Sequence, residues 1–164
     1  KKLKTTEILF TWPIKDYQAV IGKFLASLFF IIVTLALSLS IPISISFLGN
    51  LDWGVVVASY LGVLLMAAAF LAIGLFISSL TDNQIIAFIL SVTISFVFFI
   101  IGENMVLYVI PNYLINLFQY LGLGHHFYSI SRGVLDSRDI IYYLSIIFLF
   151  LYLNTRQIES RKWK

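Results

Sequence analysis

Residues 55–80 read VVVASYLGVLLMAAAFLAIGLFISSL, and this stretch decides the fold. It carries no charge and exceeds the roughly 20 helical residues needed to cross a hydrocarbon core. Unpaired backbone groups are too costly in lipid, so the run is expected as a spanning helix. Outward from it, Phe24–Leu48 is of similar length, Ile85–Ile101 is near the lower limit, and Ile140–Leu153 is shorter still. Asp139 and Asn154 can snorkel at the ends of that last run, and local thinning of the bilayer can absorb the mismatch.

Composition supports the same fold class. The 164 residues are 60% hydrophobic and only 12% charged, whereas soluble domains carry about 25% charged residues. A fold of this size could not hide so much apolar surface. The chain is therefore expected to be an all-α integral membrane protein with one membrane domain and four transmembrane helices, at about 24–48, 55–80, 85–101 and 139–154. Residues 1–23 precede the membrane domain (24–154), 102–138 form a helical connection, and 155–164 are a basic tail. The net charge of +3 gives no reason to expect nucleic acid as a partner. Cysteine is absent, which removes disulfides, thiolate metal sites and cysteine nucleophiles. The chain opens on KKLK without a Met, as a fragment or processed product would, and nothing resembles a cleavable signal peptide.

Charge sets the expected orientation. Lys1, Lys2, Lys4, Lys15 and Lys23 precede the first span, and Arg156, Arg161, Lys162 and Lys164 follow the last. The connections around Asp52 and from Glu103 to Asp139 hold only Arg132 and Arg138. Positive-inside logic places both termini in the cytoplasm. The 102–138 connection is then on the outer side.

Leu37–Phe47, LSLSIPISISF, alternates with a period of two, but an open strand cannot sit in lipid. As a helix it places Ser40 and Ser44 on one face, with a kink at Pro42. The serines either bond back to their own helix or line a substrate path. In the second span, Gly54, Ala58 and Gly62 recur every four residues, followed by Ala68, Ala72, Gly74 and Ser78. Such spacing lets helices approach closely, within the chain or in a dimer. Within 102–138, Pro111 can open a helix whose polar stripe is Asn112, Asn116 and Gln119, opposite Leu114, Leu117, Phe118 and Leu121. Gly122 and Gly124 mark its end. This reads as an interfacial or re-entrant helix, followed by a short amphipathic element over Tyr128–Leu135.

Little in the chain points to catalysis. His125 and His126 are adjacent, so on a helix they diverge by about 100°, and no Cys or further His completes a ligand set. Glu103 reads as the residue ending an apolar run, with a proton or substrate site as the alternative. Together with the histidines it would be needed for an intramembrane metalloenzyme. There is no Gly-rich phosphate loop and no GxSxG. No catalytic residue, metal or cofactor is expected.

Docking has more to rest on. Thr5 or Thr6 can cap a short helix through Glu7–Phe10, Trp12-Pro13 breaks it, and a second helix starts near Asp16 and runs through Lys23 into the membrane. This is either a rigid knob for a soluble partner or an interfacial anchor with Trp12 and Tyr17 at head-group level. The residues alone leave both open.

The segment TTEILFTWPIKDYQAVIGKFLA, Thr5–Ala26, resembles the loop before the third span of type-2 ABC exporter permeases. Glu7, Leu9, Thr11, Pro13, Asp16, Gly22, Lys23 and Phe24 fall on the family pattern. Thr5 stands where Gly is frequent and Trp12 where a small residue is usual. LGNLDWG at Leu48–Gly54, AIGLFISSLTDNQIIA at Ala72–Ala87 and RGVLDSRDIIYYLS at Arg132–Ser145 also agree. The gliding-motility-type permeases are the most similar subgroup.

The resemblance implies that the four spans are the family's third to sixth, with the first two missing by N-terminal truncation. It implies a dimer of permease subunits, identical or mixed, working with a separate ATP-binding cassette subunit that performs the hydrolysis. A coupling helix at Thr6, Glu7, Trp12, Pro13, Asp16 and Tyr17 would meet that subunit. The expected function is the permease of an exporter in the bacterial inner membrane, with the lipid bilayer around it. The alternative is a non-transporting scaffold in a motility or secretion complex.

Overall fold

A computed structural model describes residues 16–161, Val109 excepted. It is all-helical, with no strand among the described residues. The first helix, α1 (Asp16–Ser38), is followed after a one-residue break by α2 (Ser40–Ser46). The period-two stretch is thus helical, and Pro42 explains the break. Proline has no N–H to offer the Ser38 carbonyl and its ring crowds that carbonyl. At the break Leu39 N–H turns to the Ala36 carbonyl at 3.3 Å. The hydroxyls of Ser38 and Ser40 donate to the carbonyls of Leu35 and Leu37, at 2.8 and 3.1 Å.

The central element is α3 (Trp53–Leu80). Asp52 caps it, Oδ1 accepting from the Gly54 N–H at 2.9 Å, which satisfies an otherwise unpaired donor of the first turn. Its small residues are where neighbours come in. Ala68 and Ala72 are buried against Phe24 of α1. A Cβ on Gly62 would meet Ile130 Cγ2 at 2.8 Å, and one on Gly74 would touch Ser91. Close packing inside the chain therefore accounts for Gly62, Ala68 and Ala72, whereas a side chain at Gly74 would make only ordinary contact. With no water to drive apolar groups together in a bilayer, such backbone approach is the main adhesive between helices.

A tight turn capped by Asn83 leads to α4 (Gln84–Ile100), a predominantly apolar helix of 17 residues. The chain then makes α5 (Asn104–Leu107), α6 (Asn112–Leu121), α7 (Leu123–Ser131) and α8 (Ser137–Arg161). Pro111 and Gly122 bound α6 as the turn chemistry predicts. The next element differs from expectation: α7 covers Leu123–Ser131, not Tyr128–Leu135. A single extended residue, Gly122, separates it from α6. It stops at Gly133, whose φ of +85° suits only glycine without strain. The last helix is capped by Asp136 and continues well past Asn154.

The core lies between α3, α7 and α8. Ala58, Ile73, Ile77, Leu123, Ile130, Tyr143 and Ile146 are buried there. By contrast α1 and α4 present Phe29, Phe30, Phe88 and Phe96 outward. Three stretches, Tyr17–Ser46, Trp53–Leu80 and Ser137–Ser160, are long and apolar enough to cross a membrane.

Candidate functional site

The chain returns onto α8 through a crossing of bare backbone. A Cβ on Gly122 would lie 2.4 Å from Gly102 Cα, and one on Gly102 would lie 2.8 Å from Gly122 Cα. Gly124 is also confined, its Cβ position being 2.7 Å from Glu103 Oε1 and from the Phe99 carbonyl. No side chain fits at this junction. The contact fixes where α7 starts and therefore where His126 points.

His126 is buried, and both ring nitrogens are engaged. Nε2 lies 2.9 Å from the Tyr120 carbonyl oxygen and Nδ1 lies 2.6 Å from Asp139 Oδ1. The ring stacks on Tyr142, centroids 4.0 Å apart. Asp139, Tyr142 and Tyr143 sit at i, i+3 and i+4 on α8, hence on one face. Tyr142 donates its hydroxyl proton to the Leu121 carbonyl at 2.5 Å, and Tyr143 donates to the Leu123 carbonyl at 2.7 Å. A helix end leaves carbonyls without intrahelical partners. Here the imidazole and a tyrosine hydroxyl take up those of Tyr120 and Leu121, at the end of α6. The polar face of α8 thereby ties down the α6–α7 junction. Across the bundle, Ser59 of α3 donates to the Ser131 carbonyl at the end of α7, at 3.3 Å.

Beside the pair is a cavity of about 570 Å³, its wall including Asn116, Gln119, Tyr120, His125, Arg132 and Asp139. Arg132 donates to the Tyr128 hydroxyl and lies over its ring, 4.0 Å from the centroid. Asp139 Oδ2 is buried without a hydrogen-bond partner among the described residues. This arrangement can hold helices together. It offers no nucleophile with its base, and among the described residues no group of three His, Cys, Asp or Glu could hold a metal ion. His125 is exposed, whereas His126 is committed to Asp139 and Tyr120.

The residues singled out from sequence fall elsewhere. Ser40 and Ser44 lie exposed on α2, and Ser44 donates to the Ser40 carbonyl at 2.8 Å. No hydrogen bond among the described residues joins them to the His126 group. Thr6, Glu7, Trp12 and Pro13 lie outside the described residues. Asp16 opens α1, and Tyr17 follows it, exposed. Sequence reasoning took Asp139 as a span boundary, found no ligand set around His126, and gave Tyr142 and Tyr143 no role. The usable signal was the i, i+3, i+4 polar face at the start of a spanning helix.

The long apolar helices and their close-packed small residues define a membrane-embedded, multi-pass protein. Residues 1–156 match the family model described as ABC-2 family transporter protein, and the chain belongs to that family. No curated protein and no solved structure gives a match.

Proposed function

We propose that the chain is the transmembrane permease subunit of an ATP-driven exporter in the bacterial cytoplasmic membrane. The family match over residues 1–156 carries this reading. The chain crosses the bilayer four times, α4 being the shortest span. Its 17 residues rise about 26 Å, slightly less than a hydrocarbon core of about 30 Å, a difference that local thinning absorbs. The lysines before α1 and the basic residues after α8 place both ends in the cytoplasm. The α5–α7 segment is then on the outer side.

Two permease subunits work with ATP-binding subunits, and the segment containing Thr6, Glu7, Trp12, Pro13, Asp16 and Tyr17 is the coupling contact. Nucleotide-driven closure of the ATPases can shift the permease only if that segment binds their closed and open states with different affinity. Ser40 and Ser44 face the translocation path. The gliding-motility type is the subgroup whose pattern the chain follows most closely. No observation favours a non-transporting scaffold.

The test is association with the ATP-binding subunit in pull-downs from membranes, followed by nucleotide dependence in reconstituted vesicles. Glu7→Lys or Asp16→Lys is expected to reduce association at least severalfold while leaving membrane insertion intact. Unchanged binding and unchanged ATP dependence would remove the coupling assignment.

A further inference from the structure

The His126–Asp139 contact has a proton inventory that its geometry fixes. A carbonyl oxygen only accepts, so the 2.9 Å contact with Tyr120 requires a proton on Nε2. An ionised carboxylate also only accepts, so the 2.6 Å contact at Nδ1 requires a second proton. A neutral imidazole beside an ionised Asp139 has one proton for two acceptors. Whichever tautomer forms, one contact then sets lone pair against lone pair. The arrangement is complete only when the pair holds one additional proton, either as imidazolium with carboxylate or as imidazole with carboxylic acid.

We infer that His126 and Asp139 form a single-proton binding site whose occupancy docks the α6–α7 junction onto α8. Loss of the proton releases either the Tyr120 carbonyl at the end of α6 or the Asp139 link to α8. The other titratable and charged groups around the pair are Glu103 before α5, Tyr120 of α6, His125, Tyr128 and Arg132 of α7, Asp136 in the turn, and Arg138, Tyr142 and Tyr143 of α8. None donates a hydrogen bond to the Asp139 carboxylate, since the His126 contact engages Oδ1 and Oδ2 has no partner among the described residues. Tyr142 and Tyr143 instead spend their protons on Leu121 and Leu123. The junction is therefore docked at low pH, and its docking constant declines as pH rises, at most about tenfold per pH unit for one proton.

Asp139→Asn separates this inference from a merely structural pairing. The Asn amide can donate to Nδ1 while Nε2–H still serves Tyr120, so both contacts survive with neutral His126 and no additional proton. Hydrogen exchange of the whole chain in lipid nanodiscs, read on peptides spanning 116–131 and corrected for intrinsic rates, is measured from about pH 5.5 to about pH 8.5. Wild-type protection should decline as pH rises across this range, at most about tenfold per pH unit. In Asp139→Asn it should stay high and flat, and His125→Gln should behave as wild type. Flat wild-type protection, an Asp139→Asn protein unprotected at every pH, or loss of the pH dependence in His125→Gln each overturns the inference.

Discussion

Hydroxyl groups in two regions of this chain behave in opposite ways. In α1 and α2, Thr34, Ser38, Ser40, Ser44 and Ser46 each donate to a carbonyl three or four residues back, Ser40 doing so across the break between the two helices. At the start of α8, Tyr142 and Tyr143 donate to carbonyls 21 and 20 residues away. The first pattern satisfies polar groups locally, and of these hydroxyls Ser38 alone also reaches another helix among the described residues, lying 3.0 Å from the Tyr60 hydroxyl of α3. The second converts polar groups into cross-links between elements. The distinction follows from side-chain length. A serine hydroxyl on a helix reaches beyond its own backbone only where a neighbour comes close, as Ser131 does to Ser59, whereas a tyrosine hydroxyl stands a ring's length away from its own helix. In a bilayer, where apolar contact discriminates weakly between arrangements, cross-links of the second kind decide which helices stay together.

That contrast breaks most sharply at the glycine crossing. In Gly122→Ala the new methyl would lie 2.4 Å from Gly102 Cα, with backbone on both sides. Nothing flexible can move aside, so α6–α7 must separate from α4 and withdraw His126 from Asp139. The expected loss is about 4 kcal/mol or more. Thermal unfolding in detergent measures it, and a change of only a few tenths of a kcal/mol would mean that the two backbones do not cross in contact. His126→Ala should come next, at about 3 kcal/mol, because it strands a buried carboxylate and the Tyr120 carbonyl together. Tyr143→Phe keeps the packing and removes only the proton donated to Leu123. It should lose about 1 kcal/mol, the net worth of one hydrogen bond, because the Leu123 carbonyl keeps its bond within the helix.

How legible these features were in the sequence follows the same division. Local chemistry was readable. The apolar runs, the opening of α6 at Pro111 and its end at Gly122, and the break around Pro42 all depend on a few neighbouring residues. Pairings across the chain were not. His126 and Asp139 are 13 residues apart, separated by the turn at Gly133. Nothing in their spacing says that this turn folds the end of α7 back against α8. The Gly102–Gly122 crossing depends on where α4 ends relative to α6, which no local pattern encodes. The length of α7 was missed because Gly122 and Gly124 together suggested a stop. In fact one extended residue sufficed, and Gly124 lies inside the new helix, kept small by Glu103 and Phe99.

The smallest expected effect tests the quiet half of the comparison. Ser40→Ala and Ser44→Ala each remove a hydroxyl that serves only the carbonyl a turn behind it, a carbonyl near enough to the helix break to find other donors. Stability in detergent should change by less than about 0.5 kcal/mol. Neither variant should alter exchange protection over 116–131, since no hydrogen bond links α2 to the His126 group among the described residues. Such structural silence makes the pair useful for testing the proposed translocation path. If Ser40 and Ser44 face a moving substrate, the double variant will change transport in reconstituted vesicles while leaving unfolding untouched. If transport is also unchanged, the serines serve only their own helix, and the path must be sought on another face of the bundle.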